Sequence, residues 1–308
     1  MTIIQTSNVS LFPIILAIAL LSASIERADA QQTESNTQRG KPGLLLISHG
    51  SPAKPWNDAV AVLAEKVNAR NAEKKTFHAV ANAYMEFAQP DIADGIEKLE
   101  AAGCDRIIAV PLFVFSASHV HFDVPAILGT YSSPSVRKSL EEEKIRIASP
   151  KVPVTLTQTL DEGELFSHYI RDEIAALSKN PKEEAVVLIQ HGDPSHANLI
   201  EPTMMKLLVE GCGSRGITAG TWVDCQVGQS YWRNVVPEVK ELAERRKRIL
   251  MVGLYFVSSA KSIHQRGISG METHYEDIEV LMSEKGIIDH ADMADWVWNA
   301  ATEALPAK

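Results

Sequence analysis

The chain has 308 residues, 45% of them hydrophobic and 22% charged, which excludes a disordered, collagenous or coiled-coil protein and suggests two domains or one large one. Its 30 Lys and Arg against 39 Asp and Glu give a net charge of −9, so nothing electrostatic draws it to nucleic acid or an anionic membrane surface. Three cysteines, Cys104, Cys212 and Cys225, lack CxxC spacing and form neither a zinc ribbon nor a disulfide framework.

The first feature in chain order is the apolar run Leu11 to Leu21, too short for a permanent membrane span. Ala28-Asp29-Ala30 follows it, the small-residue pattern at which export signals are cleaved, although no Lys or Arg precedes the run. Residues 1–30 are therefore expected to be a signal peptide cleaved after Ala30. The mature chain is expected in the periplasm, without an integral membrane domain. Residues 31–41 are polar and aperiodic and read as a flexible lead-in.

Gly43 to Ser48 (GLLLIS) is a continuous apolar run of the kind found in buried parallel strands, and it ends in His49-Gly50-Ser51-Pro52. Trp56 to Asn71 then carries an apolar face of helical period, with Val60, Leu63, Ala64 and Val67. A short strand is expected over Thr76 to Asn82 and a helix over Pro90 to Ala102, punctuated by Gly103. Strands over Arg106 to Phe115 and Val152 to Thr157 and a closing helix over Gly163 to Leu177 complete the unit.

The pattern then returns. Ala185 to Gln190 (AVVLIQ) ends in His191-Gly192-Asp193-Pro194, with His191 lying 142 residues after His49 (191 − 49). At the same offset Arg106-Ile-Ile-Ala-Val falls on Arg248-Ile-Leu-Met-Val, so the chain reads as an internal duplication. Helices are expected over Asn198 to Val209, Tyr231 to Arg246 and Ala291 to Ala304, and strands over Ile217 to Val223 and Arg248 to Val257. The expected architecture is α/β: two tandem doubly wound domains with parallel sheets, residues 42–180 and 181–308, meeting in the polar stretch Ser178 to Glu184.

In such sheets ligands bind beyond the carboxyl ends of the strands. His49 follows the first strand, Glu86 the second and His119 the third, so three strand ends deliver two imidazoles and a carboxylate to one crevice. That set suits a divalent first-row metal, and equally proton transfer near neutral pH. Each residue has an ordinary reading: Glu86 as a solvated carboxylate at a helix start, His121 in place of His119 or as a rim residue, His78 and His168 as structural or exposed.

The segments carrying these residues, HGS after strand one, AYMEFAQPDI after strand two and AAGCDRIIAVPLFVFSASHVHFDVP through strand three, resemble the sirohydrochlorin cobaltochelatase and ferrochelatase family (the CbiX-like class II chelatases). The resemblance spans Gly43 to Pro125 and extends more weakly into the second unit. It implies a chelatase-type fold and ATP-independent insertion of a divalent metal, Co2+ or Fe2+, into sirohydrochlorin or a related tetrapyrrole, a lyase reaction of sirohaem or cobalamin assembly. No nucleotide is expected. By position, His49 and His119 match the paired active-site histidines and Glu86 the acidic residue.

The second unit departs from the pattern. At the 142 offset Glu86 falls on Gly228 and His119 on Lys261, and His264 matches His119 only with three extra residues. Its site is expected to be degenerate, the alternative being a second metal site from His191 and His264. In the first unit His49 and His119 are expected to bind Co2+, Fe2+, Ni2+ or Zn2+, with Glu86 or one imidazole taking the pyrrole protons. Activity is expected to fall below roughly pH 6.5, the ordinary histidine value. Phe115 and Phe122 are candidates to line a macrocycle face, and the N–H groups of Gly50 and Ser51 to receive a substrate carboxylate. The export signal leaves one alternative, an exported metal- or tetrapyrrole-binding protein without turnover.

Overall fold

The computed structural model describes residues 40–226, 230–267, 275 and 278–306. The expected signal peptide at 1–30 and nearly all of the lead-in at 31–41 lie outside the described residues, as does Gly228.

The first half contains β1 (Pro42–Ser48), α1 (Lys54–Lys74), β2 (Ala79–Tyr84), α2 (Ile92–Ala101), β3 (Arg106–Pro111), α3 (Val124–Ile127), α4 (Pro134–Glu142), β4 (Val154–Leu156) and α5 (Leu165–Leu177). The second half contains β5 (Glu184–Gln190), α6 (Ala197–Arg215), β6 (Gly220–Asp224), α7 (Val236–Ala243), β7 (Arg248–Leu254), α8 (Ala260–Gly267), β8 (Glu279–Met282) and α9 (Met293–Glu303). Two four-stranded sheets form, ordered β2-β1-β3-β4 and β6-β5-β7-β8, with every pairing parallel. In both, the order reverses at the central pair (β1 and β3, β5 and β7), where side chains beyond neighbouring strand ends can converge. Among the described residues no helix is long and apolar enough to cross a membrane.

The strands form where the chain offers unbroken apolar runs, because both faces of each sheet are covered. Leu44 to Ile47 are fully buried, with Leu44 and Leu46 on one face and Leu45 and Ile47 on the other. Leu45 and Ile47 pack in the cluster that contains Ile92 and Ile96 of α2. Leu44 and Leu46 join a second cluster that also holds Val186 and Leu188 of β5 and Leu250 and Val252 of β7. One core therefore joins the inner faces of both sheets.

The closing helices of the two halves are exchanged across this core. Helix α5 packs on α6 and β7, and the buried Tyr169 donates its hydroxyl to the Gly253 and Lys285 carbonyls, 2.9 Å from each. Helix α9 packs in return on α1 and β3, with Trp298 set edge-on to Phe77. The expected boundary near 180 separates the two sheets in chain order, and the closing helices lie across it.

Several elements differ from the sequence expectation. Strand β3 stops at Pro111 rather than Phe115, which frees residues 112–118 to run toward the site. The helix expected over Tyr231 to Arg246 begins with a π-helical turn, Tyr231–Val235, and its α-helical part ends at Ala243. Helix α4 has a polar sequence with one buried residue, Leu140, which hides it from an apolar-periodicity reading.

Candidate active site

The end of β1 is tied to the segment after β2. Met85 donates its N–H to the Ser48 carbonyl at 2.8 Å, and Glu86 to the His49 carbonyl at 2.9 Å. Between them Gly50 has φ +88°, and a Cβ there would lie 1.9 Å from the Glu86 carbonyl oxygen, so both conformation and space demand glycine. This close approach sets His49 Nε2 2.9 Å from Glu86 Oε1. Phe87 follows at φ +60°, costly for an aromatic residue, and its ring stands 61% exposed with its centroid 5.9 Å from that of His49.

The third contributor comes from beyond β3. His119–Asp123 forms a π-helical turn, a form often found at functional sites. Within it His119 Nδ1 lies 2.7 Å from Asp123 Oδ2. A carboxylate only accepts, so Nδ1 carries the proton and Nε2 keeps a lone pair for a metal or a proton. The His119 ring stands edge-on to His49, with centroids 5.1 Å apart. The three strand-end residues expected to converge are thus together.

The protonation of His49 follows from its partners. Its Nδ1 is 3.0 Å from the Gly50 carbonyl oxygen, which only accepts, so Nδ1 is an N–H. The Nε2 to Glu86 contact then needs a second proton, on Nε2 or on the carboxyl. Burial lowers the His49 pKa below its ordinary value, against the Gly50 carbonyl and with help from His119 and His191. Burial raises that of Glu86, helped by the charge of Glu143. Both shifts favour the neutral pair, with the proton on Glu86. Among the described residues no three His, Cys, Asp or Glu side chains form a ready-made metal cage. The donors stand near one another but point at their proton-sharing partners, an arrangement that an arriving dication must reorganise.

His49 and His119 open on a cleft of about 560 Å³ walled by both halves, with Glu86 behind His49. His49, Phe87, Phe115 and His119 line one side, and His191, Gln226, Tyr255 and Arg266 the other. Gly50 and Ser51 line it as well, but the Ser51 N–H is already donated to Asn57 Oδ1 at 3.1 Å. That occupies the donor expected to receive a carboxylate, and α1 begins only at Lys54. Phe122 is not among the lining residues; its ring packs on Tyr131 and His196. His121 turns to Ser116 Oγ, 3.3 Å away.

The second half repeats the backbone of the site without its chemistry. His191 Nδ1 lies 2.9 Å from the Gly192 carbonyl, as His49 does with Gly50. Ser48 pairs with Tyr84 and Gln190 with Asp224, so the place of Glu86, two residues further on, is taken by Gln226 rather than Gly228. The offset between β2 and β6 is 140 (220 − 80) rather than 142, because the connection from β5 is two residues shorter. Lys261 bonds Glu284 at 2.6 Å. His264 is held 2.7 Å from the Tyr231 hydroxyl and stacks on Tyr275, and it does not line the cleft. His191 and His264 are therefore not brought together as a second donor pair.

Sequence reasoning missed Asp123, although its i,i+4 spacing from His119 is a signal for a same-face pair. It also missed the role of Asp193. Asp193 Oδ2 accepts from the Ser118 N–H at 3.3 Å and lies 3.0 Å from His196 Nδ1, while the His196 ring packs on Phe122. Burial alone would raise the Asp193 pKa, but the bonds from Ser118 and His196 hold it below the usual carboxylate range. The second half thus grips the turn that carries His119 at both ends. Asp193→Ala is expected to lower turnover about tenfold, in line with losses of supporting contacts at metal sites. Its cost to global stability should be only about 1 kcal/mol. Paired rate and urea-unfolding measurements check this, and a rate unchanged by the substitution would remove the grip from the account.

Comparison with known proteins agrees with this geometry. The family model described as CbiX matches residues 43–177, which carry His49, Glu86, His119 and Asp123. The sirohydrochlorin cobaltochelatase of Saccharolobus solfataricus is 30% identical over 122 residues, 40% of this chain and 84% of that protein. That of Sulfurisphaera tokodaii is 36% identical over 111 residues, 35% of this chain and 78% of the relative. Both halves align with the solved structure of SirB from Bacillus subtilis with Fe3+, at a TM-score of 0.61 and 16% identity, covering 85% of this chain and 95% of that one. That likeness is one of fold, whereas the sequence matches reach the site itself. The chain belongs to the CbiX family.

Proposed function

We propose that this protein inserts a divalent metal, Co2+ or Fe2+, into sirohydrochlorin or a closely related tetrapyrrole without ATP. The observation that carries the proposal is the partly buried His49–Glu86 pair facing His119, itself oriented by Asp123, beside an aromatic cleft. The names of the matched relatives support the same substrate class.

Insertion exchanges one dication for the two pyrrole protons of the macrocycle. His49 and His119 offer Nε2 lone pairs to the incoming ion, which displaces the proton shared between His49 and Glu86 to solvent. As the ion passes to the macrocycle nitrogens, Glu86, whose burial strengthens its hold on a proton, takes one pyrrole proton. An imidazole freed of the ion takes the other and passes it to solvent, while the proton on Glu86 restores the resting pair, so two protons leave for each dication that enters. Loosely arranged donors suit transit of the metal, because a tight cage would retain it.

The test is an anaerobic metallation assay with purified mature protein, no nucleotide and excess sirohydrochlorin. Product in many-fold excess over protein is expected. Uptake that stops at one equivalent per chain would make the protein a carrier instead. We also propose that the chain is exported and cleaved after Ala30, which an intact mass of the secreted product checks.

The pH dependence follows from the direction of the His49 shift. Its folded pKa lies below 6.5, so the imidazole stays neutral and competent at pH 6.5 and loses its lone pair only further down. The acidic limb of kcat/KM, which reports the free enzyme, should therefore fall below 6.5 rather than at the ordinary value. A limb at or above 6.5 would contradict a partly buried, neutral His49.

A further inference from the structure

We propose that Arg266, on the wall of the cleft contributed by the second half, is an anchoring site for a carboxylate side chain of the ligand. The inference rests on reading the cleft as a macrocycle site and says how a ligand rich in carboxylates is held and oriented there. The difficulty it answers is electrostatic. The chain carries a net charge of −9, and its overall field opposes a polyanion.

Among the described lining residues the charged side chains other than histidine are Asp193 and Arg266. The Asp193 carboxylate is taken up by the Ser118 N–H and His196. Arg266 is then the one fixed positive charge on the described walls.

Its guanidinium is also held in place. Nε donates to the Ser262 carbonyl at 3.2 Å and Nη2 to Ser258 Oγ at 2.8 Å, while Nη1 meets no acceptor among the described residues. Two bonds on one side orient the planar group and leave its Nη1 donors for a ligand. An arginine on the surface for solubility alone gains nothing from this fixation. An arginine that receives a carboxylate gains much, because the ordering cost is met before binding and the planar donors match the anion. His49 and His119 lie on the opposite wall, so an anchor at Arg266 also fixes which edge of the macrocycle is presented to the metal.

The test uses the full mature chain and two metal-free porphyrins read by quenching of tryptophan fluorescence. One is uroporphyrin, with acetate and propionate chains, and the other is coproporphyrin, in which methyl groups replace the acetates. Arg266→Gln is expected to weaken uroporphyrin binding about tenfold, the worth of one charged hydrogen bond, and coproporphyrin binding less. Arg266→Lys should restore part of the loss, since it keeps the charge but not the planar fork. Co2+ uptake without porphyrin should be unchanged, and KM for sirohydrochlorin should rise with kcat within about twofold, as removal of uniform binding requires.

An unchanged uroporphyrin affinity in Arg266→Gln overturns the proposal even if the wild type metallates sirohydrochlorin. Arg266-dependent binding by a wild type that does not turn over leaves the anchor standing and removes the chelatase reading. A wild type that binds neither porphyrin overturns both.

Discussion

His119→Ala is expected to lower kcat/KM for sirohydrochlorin metallation by about a hundredfold or more, in the range lost when a positioned acid–base group is removed. The substitution takes away one of two Nε2 donors, the one whose tautomer is fixed from behind by a carboxylate, that of Asp123. Asp123→Asn should have an effect of similar kind, about 10–100-fold. An amide presents its own N–H toward Nδ1, which favours the tautomer with the proton on Nε2 and masks the lone pair. Neither change should unfold the protein, because the His119 side chain is 39% exposed and that of Asp123 21%, at a cleft rim. Far-ultraviolet circular dichroism and stopped assays on the two variants measure this. A rate within a few-fold of wild type in both would place proton and metal transfer elsewhere.

Glu184→Ala is expected to cost roughly 3–5 kcal/mol of stability, the range for breaking a buried ion pair by removing one partner. Glu184 opens β5 with no exposed surface. It accepts hydrogen bonds from Ser178 Oγ at 2.6 Å, the N–H groups of Lys179 and Asn180 at 2.7 and 2.8 Å, and Arg248 Nη1 at 2.8 Å. One carboxylate therefore fixes the connection between the halves, and its loss leaves four donors short of an acceptor. Burial alone would raise its pKa, but the bonds from Ser178, Asn180 and Lys179 and the charge of Arg248 hold it below 4.5. For a carboxylate depressed in the folded state, the stabilisation is full above the unfolded value and is lost as pH falls through the folded one. The variant should thus lose stability at pH 7 and show a shallower decline in acid. Urea unfolding at pH 7 and near pH 3 separates the two effects, and a loss under about 1 kcal/mol at pH 7 would contradict the assignment.

How much was legible in the sequence depended on the kind of signal. The strands were plain because burial on both faces writes itself as continuous runs such as Leu44 to Ile47. The equivalence of β1 with β5 and of β3 with β7 was plain because both pairs keep one offset. The offset fails for β2 and β6, where a shorter connection moves the equivalent of Glu86 to Gln226. The exchange of α5 and α9 was not legible, since an apolar helix face states that a helix is buried but not against which sheet. His49, Glu86 and His119 were readable as residues following strand ends. Asp193 reaches Ser118 through the apposition of the two halves, and Asp123 reaches His119 through the turn between them. Such contacts leave little trace in a linear pattern. Phe122, expected on a macrocycle face, went instead to pack on Tyr131 and His196, because the π-helical turn aims it away from the cleft.

The central claim is that one cleft, walled by both halves, does its chemistry on the side built from β1, β2 and β3. The most direct measurement is the initial rate of sirohydrochlorin metallation by His49→Ala beside that of His191→Ala. The two histidines follow equivalent strands and share the same carbonyl contact, but among the described residues only His49 has a carboxylate at Nε2 and a second imidazole beside it. The account predicts that His49→Ala loses about a hundredfold or more, whereas His191→Ala stays within a few-fold of wild type. A severe loss in His191→Ala with near-normal rates in His49→Ala would assign the chemistry to the opposite wall.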